Sequence, residues 1–421
     1  MSAELISILV LVVVFAIATT RSINMGALAF AAAFAVGELV AGLDADGIFA
    51  GFPGDLFVVL VGVTYLFAIA RANGTTDWLV HASIRLVGGR IALIPWVMFV
   101  ITGALTAIGA VSPAAVAIVA PIALSFAVRY GISPLLMGAM VVHGAQGGGF
   151  SPISIYGSIV NGIVERENLP GNEIALFLAS LAANLMIAGV VFVLFGGLKL
   201  ARHRAEESDG DSAGSPAGEG SARLDVPRTA TLLSLLALVV AVLVFDLDAG
   251  LTAITLAVLI SAVWPDTSRT AVGAIAWPTV LLICGVLTYV GVLEEMGTIT
   301  WAGEGVGGIG VPLLAALLLC YIGAIVSAFA SSVGIMGALI PLAVPFLAQG
   351  EIGAVGMIAA LAVSATVVDV SPFSTNGALV LAAAPDVDRE RFFRQLMVYG
   401  GVVVAVVPAA AWLVLVVPGF G

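Results

Sequence analysis

Long apolar runs separated by short polar punctuation make up most of the chain. Crossing about 30 Å of hydrocarbon takes about 20 helical residues. Runs of that order fall at 5–20, 25–43 and 56–72. A more polar stretch, 73–89, carries Asp77, His81 and Arg85 and suits a helix lying at the membrane interface. Two apolar arms, 91–110 and 114–130, flank Val111-Ser112-Pro113. The next run, 133–162, is interrupted at Gln146-Gly147-Gly148-Gly149-Phe150-Ser151-Pro152. Three glycines and a proline there are expected to end a first half-helix. An unbroken run at 173–197 completes the series.

Residues 201–228 change character to charged, Ser-rich and Gly-rich sequence, the composition of a disordered hydrophilic linker. The pattern then starts again, with runs at 231–245, 250–263 and 279–293 and an interfacial piece at 297–310. A second pair of arms, 311–347, turns near Ala330-Ser331-Ser332. A second broken run, 352–383, is interrupted around 366–371, and 396–418 is last. Ser151-Pro152-x-Ser154-x-x-Gly157 recurs 220 positions later as Ser371-Pro372-x-Ser374-x-x-Gly377. Ser112, Pro121 and Phe126 recur at the same offset as Ser332, Pro341 and Phe346. Gly62 and Trp78 recur as Gly285 and Trp301, and Gly26 as Gly250. The chain therefore reads as a duplication, with one unit at 1–200, the linker at 201–228 and a second unit at 229–421.

Each pair of arms admits two readings, two full spans or one re-entrant hairpin. The tips lack the charged or aromatic residues of an exposed loop, and a small polar tip at membrane depth is tolerated when buried in protein. Five spans and one hairpin per unit is an odd number of crossings, so the copies lie with opposite topology. The positive-inside rule tests this. With both termini outside, the linker and every one of the 15 basic residues except Arg166 fall on the cytoplasmic side. Treating the hairpins as full spans would put Arg389, Arg391 and Arg394 outside. The expected fold is thus an all-α polytopic membrane protein of two inverted repeats, each with five transmembrane helices and one re-entrant hairpin.

Composition narrows the class. The 421 residues are 61% hydrophobic and 10% charged, against about a quarter charged in soluble domains. A net charge of -11 without a basic face argues against nucleic acid. Cys284 and Cys320 have no CxxC spacing and read as core thiols, and His81, His143 and His203 are too scattered for a metal cluster. The first run lacks a basic leader and reads as a retained span. Facing nucleophile and base residues, as an enzyme would need, are not evident.

Inverted repeats with discontinuous helices point to a secondary transporter with a midplane site. Half-helix N-termini favour anions, and unwound carbonyls and hydroxyls suit a small dehydrated cation such as Na⁺. Two half-sites are expected, tip Ser112 with the break at 146–154 and tip Ser331-Ser332 with the break at 366–376. Candidate groups for an anionic solute are Ser112, Gln146, Gly148, Ser151, Ser154, Tyr156, Ser331, Ser332, Ser371, Ser374, Thr375 and Asn376. Candidate cation ligands are Ser112, Gly147, Gly149, Ser332, Thr366 and Asp369. No lysine or arginine lies deep in an expected span, so co-bound cations would have to offset an anion's charge. Asp369 is the one carboxylate at a break, where its cost favours a functional role over a helix cap. His143 reads as a packing histidine, with a proton role as the alternative. The glycine run has a close-packing reading as well.

On Gly147-Gly-Gly-Phe-Ser-Pro-Ile-Ser and Val370-Ser-Pro-Phe-Ser-Thr-Asn-Gly, with the doubled hairpins, the chain resembles the ion transporter superfamily, in particular MatC-type malonate or dicarboxylate carriers. The resemblance implies a bacterial-type plasma membrane and a homodimeric scaffold with moving transport domains, an elevator. It also implies Na⁺ at the tip-and-break sites and a small dicarboxylate between them. The hairpin tips depart from the Ser-Asn-Thr of divalent-anion symporters. A cation/proton antiporter, or an H⁺-coupled organic anion carrier of the same fold, is the alternative.

Overall fold

The computed structural model describes residues 2–21, 23–76, 78, 82, 90–200, 224–245, 247–299, 301, 311–328, 332–347, 350, 352–384 and 387–420. Its regular elements are helices. The first half holds α1 (Ala3–Thr20), α2 (Met25–Val36), α3 (Ala45–Ala50), α4 (Gly54–Ala72) and α5 (Leu93–Ala107). It continues with α6 (Ser112–Tyr130), α7 (Pro134–Gly148), α8 (Ile155–Arg166) and α9 (Glu173–Leu194). The second half holds α10 (Val226–Phe245), α11 (Ala249–Val263), α12 (Pro265–Gly273), α13 (Trp277–Glu295) and α14 (Pro312–Ser327). It ends with α15 (Ser332–Leu347), α16 (Ala354–Val367), α17 (Thr375–Ala383) and α18 (Arg389–Ala411). On length and composition five of these helices can cross a membrane, α4, α6, α9, α13 and α18 with its π-helical end, and several shorter ones are equally apolar.

The expected spans lie on helices, with differences that have local causes. α18 begins at Arg389, earlier than hydropathy indicates, because Asp388 caps it and its first turns are charged. α3 and α12 were not expected; both are short, and hydropathy does not register polar turns such as 265–273. The linker is shorter than expected, since Val226, Pro227 and Arg228 already belong to α10. Arg228 is anchored there by donating from Nε to the Asn73 carbonyl at 3.2 Å. The linker at 201–223, most of both interfacial stretches, and the second hairpin tip at 329–331 with Ser331 lie outside the described residues. Cys284 and Cys320 are free and buried.

Two helix crossings organise one part of the molecule. α2 packs on α13, and α11 packs on α4. A Cβ on Gly26 would stand 1.9 Å from the Leu281 carbonyl oxygen, and one on Gly285 would stand 2.0 Å from the Gly26 carbonyl oxygen. In the other crossing a Cβ on Gly62 would stand 2.5 Å from the Gly250 carbonyl oxygen. Gly26 and Gly250, and Gly62 and Gly285, are the residues that recur along the sequence. Each crossing pairs a helix of one half with a helix of the other, and glycine is what lets the backbones touch.

The rest packs around the broken helices. α7 lies against α5, α6 and α9, and α16 lies against α14, α15 and α18. α6 also packs on α17, and α15 on α8, so each arm after a tip meets the half-helix beyond the other copy's break.

Candidate functional site

The two breaks are built alike. α7 ends at Gly148 and α8 begins at Ile155; α16 ends at Val367 and α17 begins at Thr375. Ser154 caps α8: its hydroxyl accepts from Gly157 N–H at 3.1 Å. That hydroxyl shares its own proton between the Ser151 and Gly149 carbonyls. Ser374 caps α17, accepting from Gly377 N–H at 3.3 Å and facing the Ser371 and Asp369 carbonyls. Gly157 and Gly377 also donate to the Gly149 and Asp369 carbonyls, at 3.2 and 3.1 Å. A Cβ on either glycine would stand about 2 Å from a serine carbonyl oxygen, Ser151 or Ser371. The doubled Ser-Pro-x-Ser-x-x-Gly is therefore a helix-breaking knot whose capping serines and glycines hold one another.

Beside these knots lies a buried polar square. Ser112 starts α6, Gln146 lies in the last turn of α7, Asp369 lies in the second break, and Asn376 lies in the first turn of α17. The Gln146 amide donates from Nε2 to Asp369 Oδ2 at 3.0 Å and to Ser112 Oγ at 3.5 Å. The Asn376 amide donates from Nδ2 to the same two atoms, at 2.9 and 2.8 Å. Two amides thus bridge one carboxylate oxygen and one hydroxyl oxygen. All four residues are buried. Gln146 Oε1 and Asn376 Oδ1 have no hydrogen-bond partner, and an unpartnered buried carbonyl is costly. Tyr156, in the first turn of α8, is buried, and its ring lies 5.7 Å from that of Phe150. Asp369 is the only buried Asp, Glu, Lys or Arg among the described residues.

The other expected residues do not join this square. Ser154 and Ser374 spend their hydroxyls on their own knots, as above. Ser151 donates to the Ala107 carbonyl, and Ser371 accepts from Phe373 N–H at 3.3 Å. Thr366 donates back to the Ala362 carbonyl at 2.8 Å, and Thr375 is exposed. Ser332 accepts from the Ser327 hydroxyl at 2.7 Å. The half-helix ends inside the glycine run as expected, with Gly147 and Gly148 as its last helical residues. Their lack of side chains serves packing: a Cβ on Gly148 would stand 1.9 Å from the Gly103 carbonyl oxygen of α5. Gly149 is the first non-helical residue, and its carbonyl turns onto Ser154 and Gly157. The half-sites also differ from expectation, because tip Ser112 bonds to both copies, Gln146 of its own and Asn376 of the other.

Sequence reasoning missed the partners of His143. Its Nδ1 stands 2.9 Å from Asn184 Oδ1, and its Nε2 stands 2.6 Å from Tyr399 Oη. Asn184 donates from Nδ2 to the Ser180 carbonyl at 2.9 Å, and Ser180 donates to the Gln146 carbonyl at 3.1 Å. Ser180 and Asn184, four apart in an otherwise apolar helix, were the one available signal.

A cleft of about 170 Å³ lies at the Arg166 end of α8, away from the break, lined by Gly51, Arg166, Glu167, Gly291, Glu294 and other residues. It is separate from the square. Arg166 donates there to the Gly51 carbonyl at 3.3 Å and stands 4.0 Å from the Asp55 carboxylate. Burial, then the neighbouring Glu294 charge, pushes the Glu167 carboxyl above its ordinary range, and Arg166 opposes the shift.

Apolar crossing helices, two broken helices and a buried polar square where they meet define a multi-pass membrane protein of transporter architecture. Residues 1–149 match the family model of the dicarboxylate carrier protein MatC N-terminus, in line with the MatC-type resemblance read from the sequence. That stretch contains Ser112 and Gln146 and stops before Asp369 and Asn376. The crystal structure of the YdaH transporter of Alcanivorax borkumensis is similar at 16% identity and a TM-score of 0.60. The likeness covers 88% of this chain and 89% of that one. No curated protein matches the chain. Both likenesses are to transport proteins and neither is to an enzyme.

Proposed function

We propose that the chain is a cation-coupled secondary transporter of a small dicarboxylate, malonate or a C4 acid, with Na⁺ as the coupling ion. The observation that carries this reading is the square of Ser112, Gln146, Asp369 and Asn376. Both amide N–H groups turn to the carboxylate, leaving two buried carbonyl oxygens without partners. A dehydrated cation bound there would occupy those oxygens and neutralise Asp369. A carboxylate buried at membrane depth costs about 2.5–3.5 kcal/mol on insertion scales, which a bound cation offsets. With no ion pair to Asp369 among the described residues, a diacid would enter only after its own charge and that of Asp369 had been balanced. Cation coupling is then an electrostatic requirement. The capped N-termini of α8 and α17 supply partial positive charge for the solute.

Two inverted repeats support an elevator in this reading. The paired glycine crossings of α2 on α13 and α11 on α4 suit a rigid scaffold, which in a homodimer would stay fixed. Ser112, buried against Gln146 and Asn376 at the breaks, favours a re-entrant tip. The setting is a bacterial-type plasma membrane with both termini outside and the linker cytoplasmic.

Uptake of labelled malonate and succinate into proteoliposomes, with and without an inward Na⁺ gradient, tests the reading. Uptake that follows the Na⁺ gradient is expected. Proton flux without solute uptake would instead support the second reading, a cation/proton antiporter with Asp369 as the exchanging carboxylate. That reading has its own support in Asp369 being the single buried carboxylate among the described residues.

A further inference from the structure

We infer that Ser180, Asn184, His143 and Tyr399 form a brace that holds the Gln146 backbone still, so that the Gln146 amide stays aimed at Asp369. The inference rests on the proposed role of the square. The chain of contacts is continuous and buried. Tyr399 of α18 meets His143 of α7, His143 meets Asn184 of α9, Asn184 meets Ser180, and Ser180 meets the Gln146 carbonyl.

Donor bookkeeping sets the direction of each bond. Asn184 Nδ2 is committed to the Ser180 carbonyl, so Asn184 presents Oδ1 to the histidine. Imidazole Nδ1 must then carry a proton, and in the neutral ring Nε2 accepts from the Tyr399 hydroxyl. The Ser180 proton is free to go to the Gln146 carbonyl. That carbonyl lies in the last turn of α7, where the intrahelical N–H donors run out, and it also takes the Gly149 N–H at 3.1 Å. Gln146 is therefore fixed at its backbone by two donors while its side chain reaches the carboxylate.

The second copy does not repeat these residues. The positions 220 residues after His143, Ser180 and Asn184 are Val363, Gly400 and Val404. Gly400 instead lets α18 approach the second break, where its Cβ would stand 3.2 Å from Ser371 Cα. The second break is tied differently, by Ser327 of α14, which donates to the Ala365 carbonyl in the last turn of α16. Ser180, Asn184, His143 and Tyr399 are positioning residues, since none touches the carboxylate.

The test measures malonate uptake against Na⁺ concentration in proteoliposomes of the full chain. Ser180→Ala is expected to raise the half-saturating Na⁺ concentration about tenfold, the worth of one buried hydrogen bond. Vmax is expected to stay within about twofold, and Ser180→Thr to restore the constant. An unchanged constant in Ser180→Ala, or equal loss in Ser180→Thr, overturns the brace. If Ser180→Ala does not reach the membrane, Tyr399→Phe at the other end of the chain of contacts is read by the same two outcomes. Wild-type protein that takes up neither malonate nor succinate sinks the proposed function. The brace is then judged by ¹⁵N NMR of His143 in a His81→Gln, His203→Gln background. A proton on Nδ1, with a signal displaced by Ser180→Ala, upholds it; a signal that Ser180→Ala leaves in place overturns it.

Discussion

At the scale of single residues, Asp369 and the capping serines play different parts although Asp369 stands only two residues before the second motif. Asp369 is held by two amides whose carbonyl oxygens have no hydrogen-bond partner. Asp369→Asn keeps the shape and removes a buried charge, a change that need not cost stability. Thermal unfolding with and without Na⁺ is expected to show a Na⁺-dependent rise in wild type that is absent in this variant. Ser154→Ala and Ser374→Ala remove helix caps, each worth about 1 kcal/mol. Both are expected to lower the unfolding temperature and leave the diacid KM near wild type. A raised KM without lost stability would show the hydroxyls to be ligands. Repetition along the sequence singles these serines out, but it does not say where a hydroxyl points. Each has a carbonyl of its own break within reach, and that local partner wins.

At the scale of helices, glycine marks where backbones touch. A Cβ on Gly148 meets the Gly103 carbonyl oxygen at 1.9 Å, and one on Gly26 meets the Leu281 carbonyl oxygen at the same distance. Gly148→Ala and Gly26→Ala are each expected to destabilise by about 1–3 kcal/mol through overpacking. Gly189 of α9 has open space around its Cβ position. Gly189→Ala is expected to be neutral or to stabilise by about 0.5–1 kcal/mol. Unfolding curves in detergent compare the three, and a harmless Gly148→Ala would remove close packing as the reason for the glycine run. Glycine costs a helix roughly 1 kcal/mol per residue, and α7 still runs through Gly147 and Gly148 before it breaks, because close packing against α5 outweighs that cost. The start of α18 at Arg389 was hidden for a related reason, since a capped charged turn looks like loop to hydropathy.

At the scale of the whole molecule, the positive-inside count predicts that charge is distributed along the membrane normal. Arg166, the basic residue set apart by the positive-inside count, sits at the cleft with Glu167 and Glu294. The raised Glu167 carboxyl means that the folded form favours its proton. Its contribution to stability is present at low pH and is lost as pH rises through the raised range. Glu167→Gln is expected to flatten that part of the unfolding-versus-pH curve, and an unchanged slope would place the effect elsewhere. Single cysteines at both termini and in 201–223 are expected to label from outside and from the cytoplasm respectively; labelling of all three from one side would defeat the inverted topology. The sequence by itself determined the membrane class, the order of spans, the two breaks and the residues that recur, because hydropathy and helix breakers are local and can be read in order. Only the tertiary structure decided that Ser112 meets Asn376, 264 residues away, that His143 is tied to Asn184 and Tyr399, and that Gln146 faces Asp369. Those pairings depend on which helix faces come together and how buried polar atoms share a limited set of partners, and no local pattern carries that information.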